Sequence, residues 1–204
     1  PLNDYKEWVD TVNAVDIWLE NEKENFEFGK VLMSMVTKAR EINSILFNSL
    51  DRDFKFYLLK NSIGFLSLEN APIVLDNSVH SLIKEFLKDG FDDTLDNLSA
   101  SYLVKSLDKI KDDLTVYYNG QKGLMTYCLG AISIPANSFL RANSDYDFFI
   151  DISRKGNASF RADGKLDVSQ LASKLANGGG HVNASGCKFD DFIDTINLQE
   201  VRAY

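Results

Sequence analysis

Apolar residues recur at three- and four-residue spacing through the first half of the chain, the period of an amphipathic helix. Trp8, Val12, Val15, Trp18 and Leu19 share one such face. From Phe28 to Leu50, a stripe of Val31, Leu32, Met35, Ala39, Ile42, Ile45 and Leu46 predicts one long helix. Asp51 to Ile63, with Phe54, Tyr57 and Leu58, predicts a third. Asp76 is the expected N-cap of a fourth, which runs through Val79, Leu82, Ile83, Phe86 and Leu87 and stops at Gly90. Ile73 to Leu75, just before it, reads as a short extended piece. Thr94 to Leu114 returns to the helical period through Leu95, Leu98, Tyr102, Leu103, Leu107 and Ile110.

After Leu114 the period shortens. TVYYNGQKGLMTYCLG is two apolar runs around Asn119-Gly120, a pair that favours the positive φ angles of a type I′ hairpin turn. IPANSFLRAN reads as a short helix starting near Pro135. DYDFFIDISRKGNASFRAD is a second hairpin, turning at Lys155-Gly156-Asn157. In DVSQLASKLA, Asp167 and Gln170 form a capping-box-like start, and Val168, Leu171, Ala172 and Leu175 form the stripe to be buried. The last run, CKFDDFIDTINLQEVRAY, suits either a closing strand or a terminal helix. The reading is therefore α/β (α+β): a helical N-terminal half, then a compact mixed sheet with flanking helices.

Composition narrows the classes. With 204 residues and 45% hydrophobic content the chain can bury a core in one large or two small domains. A net charge of −8 and a pI near 4.8 oppose non-specific binding to long nucleic acid. A short nucleotide in a local pocket is still allowed. Cys128 and Cys187 have no short-spaced framework and read as reduced thiols, so the expected location is cytoplasmic, and no apolar run is long enough to span a bilayer. The first residue is Pro1 rather than Met, which reads as a trimmed product or a fragment.

One stretch departs from its surroundings. In ANGGGHVNASG, Gly178, Gly179, Gly180 and Gly186 surround His181, one of two histidines in the chain. Consecutive glycines let backbone approach a ligand and expose N–H groups that suit an anion. His181 can donate to a phosphate oxygen or handle a proton near neutral pH. Arg161, in NASFRADG, can meet phosphate oxygens with its planar fork. On spacing alone, a flexible connection with an ordinary exposed histidine is an equally good account.

These residues carry a resemblance. Ser159 to Arg161 (Ser-x-Arg), Asp167 to Ser169 (Asp-Val-Ser) and Gly178 to Gly186 (Gly-Gly-Gly-His-x-x-Ala-Ser-Gly) resemble the C-terminal substrate-binding domain (DHHA1) of the DHH phosphoesterases. The resemblance covers about residues 115–204. It implies that Arg161, Gly178, Gly179, Gly180 and His181 hold the phosphates of a short nucleotide, with Ser159 and Asn183 as secondary contacts. A related domain ends some alanyl-tRNA synthetases, where it assists RNA binding without hydrolysis.

DHH enzymes use an Asp-His-His motif and further aspartates to bind two metal ions, usually manganese. This sequence has no Asp-His-His, and His80 stands alone in a helical pattern. WVDTVNAVDIWLEN resembles the last catalytic motif of the short-oligonucleotide ribonuclease (nanoRNase) branch, with Asp16 as the matching metal ligand and Asp10 second. The resemblance thus divides the chain into residues 1–26 as the end of a catalytic domain, 27–114 as a helical linker region and 115–204 as the substrate-binding domain. It implies a manganese-dependent phosphoesterase or exonuclease acting on short oligonucleotides or small nucleotide phosphodiesters, inactive as this part alone and working with an N-terminal DHH domain. No membrane partner is expected, and the family admits a homodimer. The alternative is a non-catalytic nucleotide- or RNA-binding module like the synthetase appendage. An apolar surface in the helical region, around residues such as Phe54, Phe56, Tyr57 and Phe65, is also expected.

Overall fold

The computed structural model describes residues 5–20, 25–195 and 197–201. Its architecture is α/β, a helical half followed by a six-stranded mixed sheet with flanking helices. The chain forms two compact units, one from the ranges Pro1–Ile42 and Ser49–Leu98, the other from Asn43–Asn48 and Ser99–Tyr204. No helix among the described residues is long and apolar enough to cross a membrane.

The first unit is built on α1 (Lys6–Asp16), α2 (Phe26–Lys38), α3 (Asn48–Ser62, from its second residue) and α4 (Ala71–Leu87). α1 and α2 approach closely because Gly29 has no side chain. A Cβ there would lie 2.6 Å from Val15 Cγ2 and 2.7 Å from the Thr11 carbonyl oxygen. α3 meets α4 through aromatic rings, Phe86 lying 5.0 Å from Phe54 and 5.1 Å from Tyr57.

Five expectations from the helical half change. α1 ends at Asp16, so Trp18 and Leu19 lie beyond it; Trp18 takes a left-handed backbone (φ 56°) and rests edge-on against Phe26 at 5.3 Å. The stripe from Phe28 to Leu50 is not one helix. Ala39 turns extended (ψ 111°), and the Asn43 side chain then organises the next residues. Its Oδ1 accepts from the Ile45 and Leu46 N–H groups at 2.9 and 2.8 Å, and its Nδ2 donates to the Cys128 carbonyl at 2.6 Å. An amide side chain that bonds local backbone competes with helix, which apolar spacing cannot report. The fourth helix begins at Ala71, before the expected Asp76 cap, because left-handed Asn70 (φ 56°) turns the chain and Pro72 suits the first turn. Ile73 to Leu75 is accordingly helical. The run from Thr94 to Leu114 divides into α5 (Leu95–Asp108) and α6 (Lys111–Leu114).

The second unit is the sheet, with strands β1 (Thr115–Tyr118), β2 (Gln121–Tyr127), β3 (Phe148–Ile152), β4 (Asn157–Ala162), β5 (Gly179–His181) and β6 (Ala184–Lys188). Their order is β1-β2-β3-β4-β6-β5, and only β2 and β3 are parallel. That parallel pair needs a crossover, which α7 (Ser133–Ala142) supplies. Both hairpins form as expected, and Asn119 and Gly120 have φ of 50° and 82°, as a type I′ turn requires. One face of the sheet buries Met125, Ile150, Phe160 and Ala162 under α8 (Val168–Ala176). α8 starts as its sequence predicts: Asp167 accepts from the Ser169 and Gln170 N–H groups, and the Gln170 side chain donates back to it at 3.0 Å. Leu175 is the exception to the expected stripe, being exposed. Of the closing run, Cys187 and Lys188 end β6, and Leu198–Val201 forms the short helix α9, whose Val201 enters the sheet core.

The Asn43 side chain sets the path of residues 43–48 along the sheet unit. Asn43→Ala strands two N–H donors and a carbonyl, and is expected to destabilise the chain by roughly 1–3 kcal/mol. In urea unfolding the midpoint should fall with the m-value unchanged; an unmoved midpoint would show that the 43–48 path does not need this side chain.

Candidate functional site

Strand residues alternate between faces. The register therefore places Arg161, Ser159, Gly179 and His181 on two adjacent rungs of one face, whereas Gly180 pairs with Ser185 on the Phe160 rung of the other face and Gly178 and Asn183 lie outside the strands. One rung runs Leu124, Phe149, Arg161, Ala184, His181. The next runs Thr126, Asp151, Ser159, Gly186, Gly179. Arg161 and His181 are thus separated by a single strand, a backbone distance of roughly 10 Å. The floor between them is Ala184 and Gly186, which project almost nothing. α7 packs on this same side over β3 and β4, with Phe139 against Phe149 at 5.8 Å.

The glycine run is not a loose loop. Gly179 to His181 is an edge strand that turns through Val182-Asn183 into β6. Gly178 and Gly180 are fixed by packing. A Cβ on Gly178 would lie 2.2 Å from the Gly186 carbonyl oxygen, and one on Gly180 (φ 145°) would lie 2.7 Å from that of Ala184. Gly179 differs. Its added Cβ would meet nothing within 4 Å, and its φ is not in the left-handed region. The fold does not require glycine there, whereas close approach of a ligand to the backbone would.

Arg161 is half-buried and held at both terminal nitrogens. Nη1 donates to the Phe160 carbonyl at 2.8 Å and Nη2 to Ser133 Oγ at 2.9 Å. His181 is exposed, and Ser159 is half-buried on the neighbouring rung. Asn183 braces the turn: its Oδ1 accepts from the Gly164 N–H at 3.0 Å, and its carbonyl from the Ala162 N–H at 3.1 Å.

Two residues that the pattern did not single out support this face. Ser133 is the first. Asp151 is the second, a carboxylate only 5% exposed in the middle of the sheet. It accepts from Thr126 Oγ1 at 2.9 Å, from Leu129 N–H at 3.0 Å and from Gly130 N–H at 3.2 Å. It thereby pins the tight bend in which Cys128 (φ 59°) and Gly130 (φ 85°) are left-handed, and so fixes where α7 begins. Burial pushes the Asp151 carboxyl above the usual carboxylate range, opposed by these three hydrogen bonds. Its sequence signal was only an acidic residue inside an apolar strand, in FFIDI.

Asp16 is exposed at the end of α1, Asp10 is exposed on the same helix, and His80 is exposed on α4. Among the described residues no three His, Cys, Asp or Glu side chains converge as a metal site would need. In the helical half, Phe54 is buried while Phe56 and Ile73 are exposed.

The chain is 42% identical over 195 residues to the 3′,5′-cyclic-nucleotide phosphodiesterase of Helicobacter pylori, an alignment covering 95% of this chain and 56% of that protein. It is therefore homologous to just over half the length of that enzyme. A crystal structure of an uncharacterized protein from Helicobacter pylori G27 matches with a TM-score of 0.94 at 42% identity, over 98% of this chain and 58% of the other. That likeness establishes the fold. A pGpG-specific phosphodiesterase from Vibrio cholerae aligns over 72% of this chain and 53% of its own at 17% identity, with a TM-score of 0.30. An exopolyphosphatase-related protein from Bacteroides fragilis aligns over 63% and 42% at 19% identity, with a TM-score of 0.32. Superpositions that loose carry no argument. No family model matches the chain.

The Asp151 environment gives a pH signature. A carboxyl whose folded pKa is raised is protonated more readily in the folded than in the unfolded chain. Its contribution is most favourable below the unfolded value near 4 and is lost as pH rises through the higher folded value. Asp151→Asn removes that titration, along with the bond to Gly130. Wild-type stability relative to Asp151→Asn should therefore decline as pH is raised from about 4. Urea denaturation of both proteins across pH 4 to about 7 checks this, and a wild-type stability that rises with pH relative to Asp151→Asn would contradict it.

Proposed function

We propose that residues 115–204 are the substrate-binding domain of a DHH-type phosphoesterase, and that the two-rung face from Arg161 to His181 holds the phosphate of a small nucleotide phosphodiester. The observation that carries this reading is Gly179: a glycine the fold does not need, on the same face as Arg161 and His181 and one rung from the imidazole along the edge strand. Homology to a 3′,5′-cyclic-nucleotide phosphodiesterase supports a small nucleotide as the class of substrate. The preference among cyclic mononucleotides and short oligonucleotides is the finer part of the proposal.

Each group has a defined task. Arg161 supplies a fixed guanidinium for phosphate oxygens. Backbone near Gly179 can approach the ligand without a side chain in the way. His181 closes the opposite side with a group able to donate a hydrogen bond. These are positioning functions, which lower a barrier by holding the reacting group in one orientation. In the whole protein, two manganese ions held mainly by an N-terminal DHH domain would supply an activated water for attack on the phosphate. Asp16 remains a proposed contributor to that metal set, and residues 1–26 and 27–114 the end of the catalytic domain and a helical linker region.

Calorimetric titration of cyclic AMP, the 5′-phosphorylated dinucleotide pApA and a long single strand tests the reading. A short ligand should bind, and Arg161→Ala and His181→Ala should each weaken it about tenfold or more, the scale of a charged hydrogen bond. Gly179→Ala should leave the unfolding midpoint in place and weaken the same ligand, whereas Gly178→Ala should lower the midpoint. Binding that ignores all of these face substitutions would refute the assignment.

A further inference from the structure

Ser133 is the first residue of α7 and is exposed, yet its hydroxyl is not spent on the helix. The N-cap position is Ile132, and no side chain caps this end. A serine meant as a cap would sit one residue earlier. Its Oγ instead accepts from Arg161 Nη2 at 2.9 Å, across 28 residues of sequence. Its own position is firmly set. Asp151 pins the bend at 129–130, Ile132 is buried, and the Ile132 carbonyl accepts from Ala136 N–H at 2.9 Å. The other anchor of Arg161, the Phe160 carbonyl, belongs to the middle of β4.

A guanidinium held at one nitrogen can still turn about that bond. Held at both terminal nitrogens, its plane is fixed. Both oxygens here are neutral, so the positive charge is not cancelled by its anchors. Arginine has five N–H donors, and two are engaged, which leaves three for a ligand.

We propose that Ser133 is a positioning residue: it fixes the plane of the Arg161 guanidinium so that its free N–H groups meet a ligand phosphate already oriented. This rests on the reading of Arg161 as a phosphate contact. Ser133 itself does not touch the ligand. Without its hydroxyl the guanidinium must be ordered at the moment of binding, which weakens affinity by roughly three- to tenfold.

The test is a double-mutant cycle on the full chain with pApA as the probe, read by calorimetry. Ser133→Ala should weaken binding by roughly three- to tenfold in the wild-type background and have no effect when Arg161→Ala is also present. Ser133→Thr, which restores the hydroxyl, should recover most of the loss. An Arg161→Ala variant that binds as well as wild type overturns the reading of the face, and the positioning role with it. If Arg161→Ala weakens binding but Ser133→Ala does not, the positioning role alone fails. It also fails if Ser133→Ala tightens binding, which would make the hydroxyl a competitor of the ligand. Equal loss in both backgrounds would mean that Ser133 touches the ligand directly, and would likewise overturn it.

Discussion

The register of β4 between β3 and β6 is the constraint on which the second unit depends. Side chains along a strand alternate, so seating Ala158, Phe160 and Ala162 in the core obliges Ser159 and Arg161 to the other face. A shift of one residue would bury Arg161 and expose Phe160, at a cost on the order of the net stability of a domain. The same pairing hands the alternation on to β6 and β5, where it puts Gly186, Gly179 and His181 on the arginine side. Burial of the Phe160 ring and presentation of Arg161, Gly179 and His181 on the opposite face are therefore one decision. Ser185 reinforces it from the core side, its hydroxyl donating to the Val168 carbonyl at 2.5 Å and tying β6 to the start of α8.

Within that register the glycines divide by cause. Gly178 and Gly180 exist because two strands and a helix end come too close for any Cβ. Gly179 faces open space and has no such excuse. A row of glycines in a sequence looks like one feature, whereas the structure separates the residues that let the edge strand pack from the one that leaves its backbone bare. The run consequently has less freedom than its composition suggests: it is paired along β6 and tied at its start, where the Gly178 N–H donates to the Ala172 carbonyl at 3.0 Å.

What the sequence disclosed was what local chemistry decides. Asn119-Gly120 needs two positive φ angles and has them, and Asp167 with Gln170 needs only its own first turn. The break after Ala39 was hidden for the opposite reason. Asn43 leaves the helical pattern because it finds the Cys128 carbonyl 85 residues away, and no window of sequence contains both. The site follows the same division. Arg161, Ser159 and the Gly178–His181 run stand out by residue type and spacing. Ser133 and Asp151 matter only through what they touch, and a serine near a helix start or one aspartate in an apolar strand is ordinary until the partner is known.

Charge explains why such a face belongs on an acidic chain. A net charge of −8 repels a polyanion at the range over which long nucleic acid is gathered, and that repulsion is screened beyond about 8 Å at physiological salt. A small phosphodiester feels chiefly the groups it contacts, and at contact Arg161 presents an uncancelled cation beside exposed backbone. On the proposed reading the arrangement would select by size as well as by charge: a long strand would have to lay further phosphates against an acidic chain, while one or two phosphates would need only the two rungs that hold Arg161 and His181.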